Sequence, residues 1–105
     1  MTSPSKNKGN CYERELVNEA KSLGFEAKRA YASDGRSLGL HETVDLVIED
    51  KKIQAKRRKS IAAFMRPTEH VDAVAIRQDR GETLIVMTLP EYFDLLKERQ
   101  KDDTV

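Results

Sequence analysis

The chain has 105 residues, of which 38% are hydrophobic and 35% are charged, and its formal net charge is +1. This length favours one domain with a core of its own, because unassisted folding becomes difficult only below about 40 residues. Composition excludes a membrane span of roughly 20 apolar residues and an apolar signal peptide, and the one cysteine excludes an intrachain disulfide. We therefore expect a cytoplasmic, intracellular protein with no membrane partner.

The first eight residues, rich in Ser, Lys and Asn, predict a disordered arm, and residues 9–101 a single domain before a tail at 102–105. A helix is predicted from Gly9 to Leu23, and Gly24 suits the position just past its end. The apolar stripe of this helix consists of Tyr12, Leu16, Ala20 and Leu23. Residues 25–32 alternate as a strand does, and residues 33–43 have no period and predict a loop.

Residues 44–49 predict a strand, 49–52 a tight turn and 53–58 the returning strand. Ser60 is predicted to cap a short helix over 61–65, followed by strands at 71–76 and 83–89 and a helix from Pro90. A tight turn makes two strands antiparallel, whereas strand, helix and strand favour a parallel crossover. The order α-β-β-β-α-β-β-α therefore predicts an α/β fold whose mixed sheet is flanked by helices.

Positive charge is concentrated in one segment, although the whole chain is almost neutral. Six basic residues lie between positions 51 and 59: Lys51, Lys52, Lys56, Arg57, Arg58 and Lys59. A local basic patch favours a polyanion bound at one face. Charge alone leaves a solvated strand end open as the alternative.

Strand alternation separates two faces in the segment VDLVIEDKKIQAKRRK. Val44, Leu46 and Ile48 form an aliphatic face that predicts core, and Asp45 begins the opposite face. On the returning strand Gln54 and Lys56 share one face, so they converge with Asp45 if the register of the hairpin allows.

Glu13 lines up with Val17 and Ala20 at the edge of the apolar stripe of the first helix. A carboxylate near buried surface is costly unless it has a partner. Two interpretations stay open here: an edge residue that reaches solvent, or a carboxylate that points at a metal or a lysine across the sheet.

The segments GNCYERELVNEAKSLGFEAKRAYASDG and VDLVIEDKKIQAKRR resemble the archaeal-type Holliday junction resolvases, within the PD-(D/E)XK nuclease superfamily. The shared features are, in order, a Gly, a Tyr-Glu-Arg-Glu-Leu run, a Gly-Phe, an Arg, a Ser before a loop, and a strand Asp. The resemblance extends over residues 9–89 in element order. It implies a restriction-endonuclease-like fold.

The resemblance also implies a role for each matching residue. Glu13 and Asp45 would hold Mg²⁺, which Mn²⁺ could replace, and Gln54 and the Ala55 carbonyl would complete the metal site. Lys56 would position or activate the water that attacks the phosphorus. The residues expected to contact DNA are Arg14, Arg29, Ser33, Arg57, Arg58 and Lys59.

Gln54 departs from the family pattern, which has Glu at this position. A glutamine oxygen can still bind a hard cation, but the lost negative charge should weaken metal binding. Some homing endonucleases of the superfamily carry Gln-x-Lys, so this departure does not rule out catalysis.

The implied function is Mg²⁺-dependent hydrolysis of four-way junctions, with branched DNA as partner and no small-molecule substrate. Two cuts need two sites, so we expect a homodimer, with residues 83–89 and the last helix as either its surface or ordinary core. The alternatives are a sequence-specific homing or restriction-type endonuclease, a DNA-binding relative that does not cut, and a small domain with a protein partner. His41 and His70 are too isolated to indicate zinc.

Overall fold

The computed structural model describes residues 4–31 and 34–103. The chain divides into two compact units, Met1–Arg58 and Lys59–Val105. The first unit contains helix α1 (Pro4–Ser22) and strands β1 (Ala27–Arg29), β2 (Leu46–Ile48) and β3 (Lys51–Ile53). The second contains strands β4 (Ala73–Arg77) and β5 (Thr83–Met87) and helix α2 (Leu89–Asp103). Two short 3-10 helices lie at Gly35–Leu38 and Ala63–Met65.

Helix α1 begins at Pro4, so that residues 4–8, predicted as part of a disordered arm, are helical. Proline suits a first helical turn because its φ is already helical and its missing N–H is not needed there. The helix ends as predicted, with Gly24 at a φ of 89°. The amides of Gly24 and Phe25 donate to the carbonyls of Lys21 (3.0 Å) and Ala20 (3.0 Å), which is a Schellman motif.

The three strands of the first unit form one antiparallel sheet in the order β1-β2-β3. A two-residue turn joins β2 to β3, and Glu49 in this turn has a φ of 56°, a conformation found in tight hairpins. The aliphatic face predicted from alternation is confirmed, since Val44 (7% exposed), Leu46 (0%) and Ile48 (1%) are all buried. Together with the buried side of α1 they make the core of this unit.

The returning strand differs from its predicted position. β3 covers Lys51–Ile53, where the sequence predicted a turn, and ends where residues 53–58 were expected to begin a strand. The two-residue turn is the reason, because it brings Lys51 opposite Ile48 and starts the ladder at once. Residues 54–58 are consequently not in a strand, so alternation does not assign their faces.

In the second unit β4 and β5 pair as an antiparallel hairpin. The helix predicted at 61–65 is reduced to the 3-10 helix Ala63–Met65, and Ala62 precedes it in place of the expected Ser60 cap. Helix α2 begins at Leu89, one residue before the predicted start, and the Glu91 amide donates to Thr88 Oγ1 (3.4 Å). α2 extends to Asp103, into the predicted tail.

The predicted α/β class is confirmed, with helices before and after antiparallel strands. All strand pairs among the described residues are antiparallel, whereas the sequence predicted one mixed sheet with a parallel crossover. The crossover inference failed because the segment between β3 and β4 contains no more than one 3-10 turn. None of the helices in the described ranges combines the length and apolar character that crossing a bilayer requires.

Candidate active site

Glu13 is buried within the core side of α1, with 4% of its surface exposed. It shares that side with Val17 and Ala20, as the helical period predicted. Its Oε2 lies 4.0 Å from Nη1 of Arg29, at the end of β1. Because Glu13 is buried beside a guanidinium, the interpretation in which its carboxylate reaches solvent is ruled out. The carboxylate is instead directed toward positive charge.

Asp45 is the other buried charged side chain of the described residues, with 9% exposed. Its main chain is held on both sides, because its amide donates to Ile53 O (3.0 Å) and its carbonyl accepts from the Ala30 amide (2.8 Å). Its carboxylate is held as well, since Oδ2 accepts from the Ala55 amide at 2.7 Å. The carboxylate is thereby fixed against the segment that follows β3.

The pairing between β2 and β3 shifts by one residue at Asp45. The ladder pairs Leu46 with Ile53, yet the Asp45 amide also donates to the carbonyl of Ile53. Two consecutive residues that share one opposite residue form a β-bulge, a feature that redirects side chains and is common beside active sites. Simple alternation, which placed Asp45 on the face opposite Leu46, therefore does not decide its direction.

Gln54 and Lys56 lie on either side of the amide that holds Asp45. Both side chains are exposed, and Ala55 between them is half-buried. The sequence expected Gln54 and Lys56 to approach Asp45 from one face of a strand. In the structure the contact with Asp45 is made by the amide of Ala55, which lies between them in a segment that is not a strand.

The residues expected to contact DNA have different surroundings. Arg29 is half-buried beside Glu13, and Ser33 lies outside the described residues. The side chains of the remaining four are exposed: Arg14, Arg57, Arg58 and Lys59. Arg57 and Arg58 directly follow Lys56, so the exposed positive charge of the first unit continues from the candidate site.

The loop before Asp45 is more ordered than its sequence indicated. Asp34 caps the 3-10 helix Gly35–Leu38 by accepting from the Arg36 amide (3.0 Å), and the Arg36 Nε donates to both Asp34 oxygens (3.0 and 2.9 Å). Hydrogen bonds from the Arg36 side chain lower the pKa of Asp34, and the same bonds raise the pKa of Arg36. The capping aspartate before a glycine was the sequence signal for this turn.

Gly35 is buried in this loop against the residues that lead into β2. A Cβ placed on it would lie 2.0 Å from His41 O and 2.9 Å from Val44 Cβ. Its carbonyl accepts from the Leu40 amide (2.9 Å), which closes the turn. Glycine at this position therefore lets the loop pack tightly onto Val44, next to Asp45.

Comparison with known protein families identifies the chain. A family model described as archaeal Holliday junction resolvase (hjc) matches residues 4–101. The chain belongs to this family. Neither the curated proteins nor the solved structures give a match.

Membership in the archaeal Holliday junction resolvase family makes the protein a nuclease of the resolvase type. The family acts on DNA in recombination and repair, and it implies a DNA junction as substrate. The resemblance to this family, based on the two quoted segments of the sequence, is thereby confirmed, and so is the prediction that the protein is a nuclease. The roles of individual residues stay predictions.

The resemblance implies a Mg²⁺ site, and the carboxylates of the described residues bear on it. In the part of the chain that the structure describes, no group of three or more His, Cys, Asp or Glu is arranged to hold a metal ion. Mg²⁺ does not need one, because it commonly binds through one or two carboxylates and completes its shell with waters and substrate phosphates. The two buried carboxylates, Glu13 and Asp45, are thus ligands of the kind and number that this mode of Mg²⁺ binding uses.

Proposed function

We propose that the protein is a Mg²⁺-dependent endonuclease that selects four-way DNA junctions by their shape and hydrolyses their phosphodiester bonds. The observation that carries the proposal is the anchored carboxylate of Asp45. Its Oδ2 accepts from the Ala55 amide at 2.7 Å, and Ala55 directly precedes Lys56. One hydrogen bond thus fixes the Asp45 carboxylate against the main chain immediately before Lys56, in the unit that also contains the buried Glu13.

Glu13 and Asp45 would hold the Mg²⁺, with the Gln54 amide oxygen and the Ala55 carbonyl as neutral donors. Mn²⁺ would replace it, since it accepts the same oxygen ligands. When bound, the metal supplies activation of water and neutralisation of the charge that develops on the phosphate. Burial of both carboxylates supports this assignment, because buried negative charge favours a cation partner.

Lys56 would position the attacking water through its Nζ and offset the charge of the phosphate. Arg29, beside Glu13, would hold that carboxylate in place and present its exposed part to the DNA backbone. The exposed Arg57 and Arg58 would bind neighbouring phosphates. Contacts of this kind set affinity and register without reading bases, which suits a nuclease that selects shape.

We further propose a homodimer, because paired cuts in two strands require two active sites. Strand β5 supports a partner surface, since Leu84 is 58% exposed and Ile85 is 56% exposed. Neighbouring residues of a strand point to opposite faces, so both faces of the β4-β5 hairpin carry exposed aliphatic surface. A two-stranded hairpin is marginal by itself, and a second copy would cover it.

The separation of cutting from binding tests the proposed function. Asp45→Asn and Lys56→Ala should each abolish metal-dependent cutting of a labelled junction while its dissociation constant stays close to that of the wild type. Replacing Arg57 and Arg58 by Ala should weaken binding and reduce its salt dependence by about one unit of slope per lost contact. Wild-type binding without cutting, in Mg²⁺ or in Mn²⁺, would instead identify a DNA-binding relative.

A further inference from the structure

Tyr31 is a tyrosine whose ring projects into solvent beside the candidate active site. It is 80% exposed, the highest value among the exposed large hydrophobic side chains of the described residues. Scattered apolar side chains on a surface need no explanation. Two observations indicate a role for this ring: the main chain of Tyr31 is held by hydrogen bonds, and Tyr31 follows residues that contact the candidate site.

The main chain of Tyr31 is held although its ring is exposed. Its amide donates to Ser37 Oγ at 2.8 Å, and its carbonyl accepts from the Asp34 amide at 3.0 Å. The same Ser37 hydroxyl donates to the Asp34 carbonyl at 3.0 Å. The ring is therefore mounted on a fixed backbone, which lowers the entropy lost when the ring binds a ligand.

Tyr31 directly follows Arg29 and Ala30, and each of these contacts a residue of the candidate site. Ala30 donates its amide to the Asp45 carbonyl at 2.8 Å. Arg29 places Nη1 at 4.0 Å from Glu13 Oε2. Tyr31 is therefore the next residue of the chain after two residues that contact Asp45 and Glu13.

We propose that Tyr31 stacks on a base at the branch point of the junction and thereby helps the enzyme to distinguish branched from continuous DNA. The inference rests on the proposed function, because it takes the site of Glu13 and Asp45 as the place of the scissile phosphate. Every base has a π-face on which an aromatic ring can stack, so the contact selects no sequence. Within a duplex both faces of a base are covered by neighbours, whereas a branch point interrupts that stack.

Equilibrium binding without divalent metal tests the role of the ring. Dissociation constants are measured for a four-way junction and for its duplex arm, with the wild type, Tyr31→Phe and Tyr31→Ala. The alanine variant should bind the junction about tenfold more weakly and the duplex unchanged, as expected for one lost stacking contact. The phenylalanine variant keeps the ring and should bind both DNAs as the wild type does.

Phe64→Ala is the matched control, because Phe64 is 71% exposed and lies in the second unit. It should change neither dissociation constant. The inference is overturned if Tyr31→Ala leaves the ratio of the junction and duplex dissociation constants unchanged. It is also overturned if Tyr31→Phe weakens junction binding as much as Tyr31→Ala does. If Phe64→Ala weakens junction binding as much as Tyr31→Ala does, the inference is also overturned, because the effect would then not be specific to Tyr31.

Photo-crosslinking detects direct contact between Tyr31 and a base, which a purely structural role of Tyr31 would not produce. A junction carries 5-iodouracil either at the branch point or in the middle of an arm, and the crosslinked peptide is mapped by mass spectrometry. A crosslink to Tyr31 from the branch point alone is expected, and its absence in folded protein bound to DNA overturns the inference. Failure of the proposed function is seen separately, as wild-type protein that prefers no junction or cuts none in Mg²⁺.

Discussion

Replacement of Gly35 by alanine should disturb the loop that leads to Asp45. The added methyl carbon would lie 2.0 Å from His41 O, 2.9 Å from Val44 Cβ and 3.0 Å from Val44 O. Two of these three atoms belong to the main chain, so a side-chain rotation cannot relieve the clash. The loop itself must move, and Val44 moves with it.

The expected cost follows from the closeness of these contacts. Overpacking in a dense region costs about 1–3 kcal/mol, and a clash with main-chain atoms belongs at the upper end, about 3 kcal/mol. For a domain of this size each kcal/mol lowers the melting temperature by about 4–8 °C, so we expect a loss of about 12–24 °C. Asp45, the proposed metal ligand, directly follows Val44, and a displacement of about 1 Å in a catalytic site costs about 100-fold in rate.

The assay compares melting temperature and junction cutting, measured below the melting temperature of the variant, for Gly35→Ala and Gly39→Ala. Gly39 is the matched control, because a Cβ there meets nothing within 4 Å while its φ is 75°. Its alanine variant should lose about 1–2 kcal/mol of stability from the left-handed backbone and keep its cutting rate. The reasoning is refuted if Gly35→Ala melts no lower than Gly39→Ala and cuts junctions at the wild-type rate.

Three further predictions concern the site, the core and the loop. Gln54→Glu adds a negative charge to the proposed metal site and should lower the Mg²⁺ concentration for half-maximal cutting several-fold; an unchanged titration would contradict the proposal that Gln54 binds the metal. Leu46→Ala, at a fully buried position, should cost about 2–5 kcal/mol in urea unfolding, and the half-exposed Leu95→Ala should cost far less. The Arg36 contact lowers the pKa of Asp34, so it stabilises the loop at neutral pH, and this stabilisation is lost as pH falls through that lowered pKa. NMR titration of the Asp34 carboxyl should therefore give a lower midpoint in the wild type than in Arg36→Gln, and equal midpoints would contradict the pairing.

The local features of the fold could be predicted from the sequence because their causes are local. Alternation in VDLVI identified the buried face of β2, and Gly24 identified the end of α1, where a left-handed residue is required. The helical period placed Glu13 with Val17 and Ala20, and all three are buried. These inferences depend on neighbours a few positions apart, which a sequence displays directly.

The segment after Ile53 could not be predicted in this way, because a long-range contact decides it. The carboxylate of Asp45 accepts from the Ala55 amide ten residues away, and the register of the hairpin shifts beside it. A prediction from alternation extends a strand until a residue that breaks strands appears, and Gln-Ala-Lys contains no such residue. The sequence thus identified the residues around Asp45, while their geometry required the structure.

Gly35 and the helix predicted at 61–65 show two other limits of prediction from the sequence. A glycine in a loop suggests freedom of the backbone, but only coordinates show that His41 O lies where its Cβ would be. The five-residue helix had a plausible cap, yet helices this short are marginal without packing against the rest of a protein. Its reduction to Ala63–Met65 left β3 and β4 without the helical crossover that a parallel pair needs.

The most direct test of the account is a cleavage assay on three labelled DNAs: a four-way junction, its duplex arm and a single strand. Each is incubated with the wild type and with Lys56→Ala, in Mg²⁺, in Mn²⁺ and in EDTA. The account predicts paired nicks on the junction alone, in either metal, and none with EDTA or with Lys56→Ala. Cutting that persists in Lys56→Ala, or that occurs equally on duplex and junction, would contradict it.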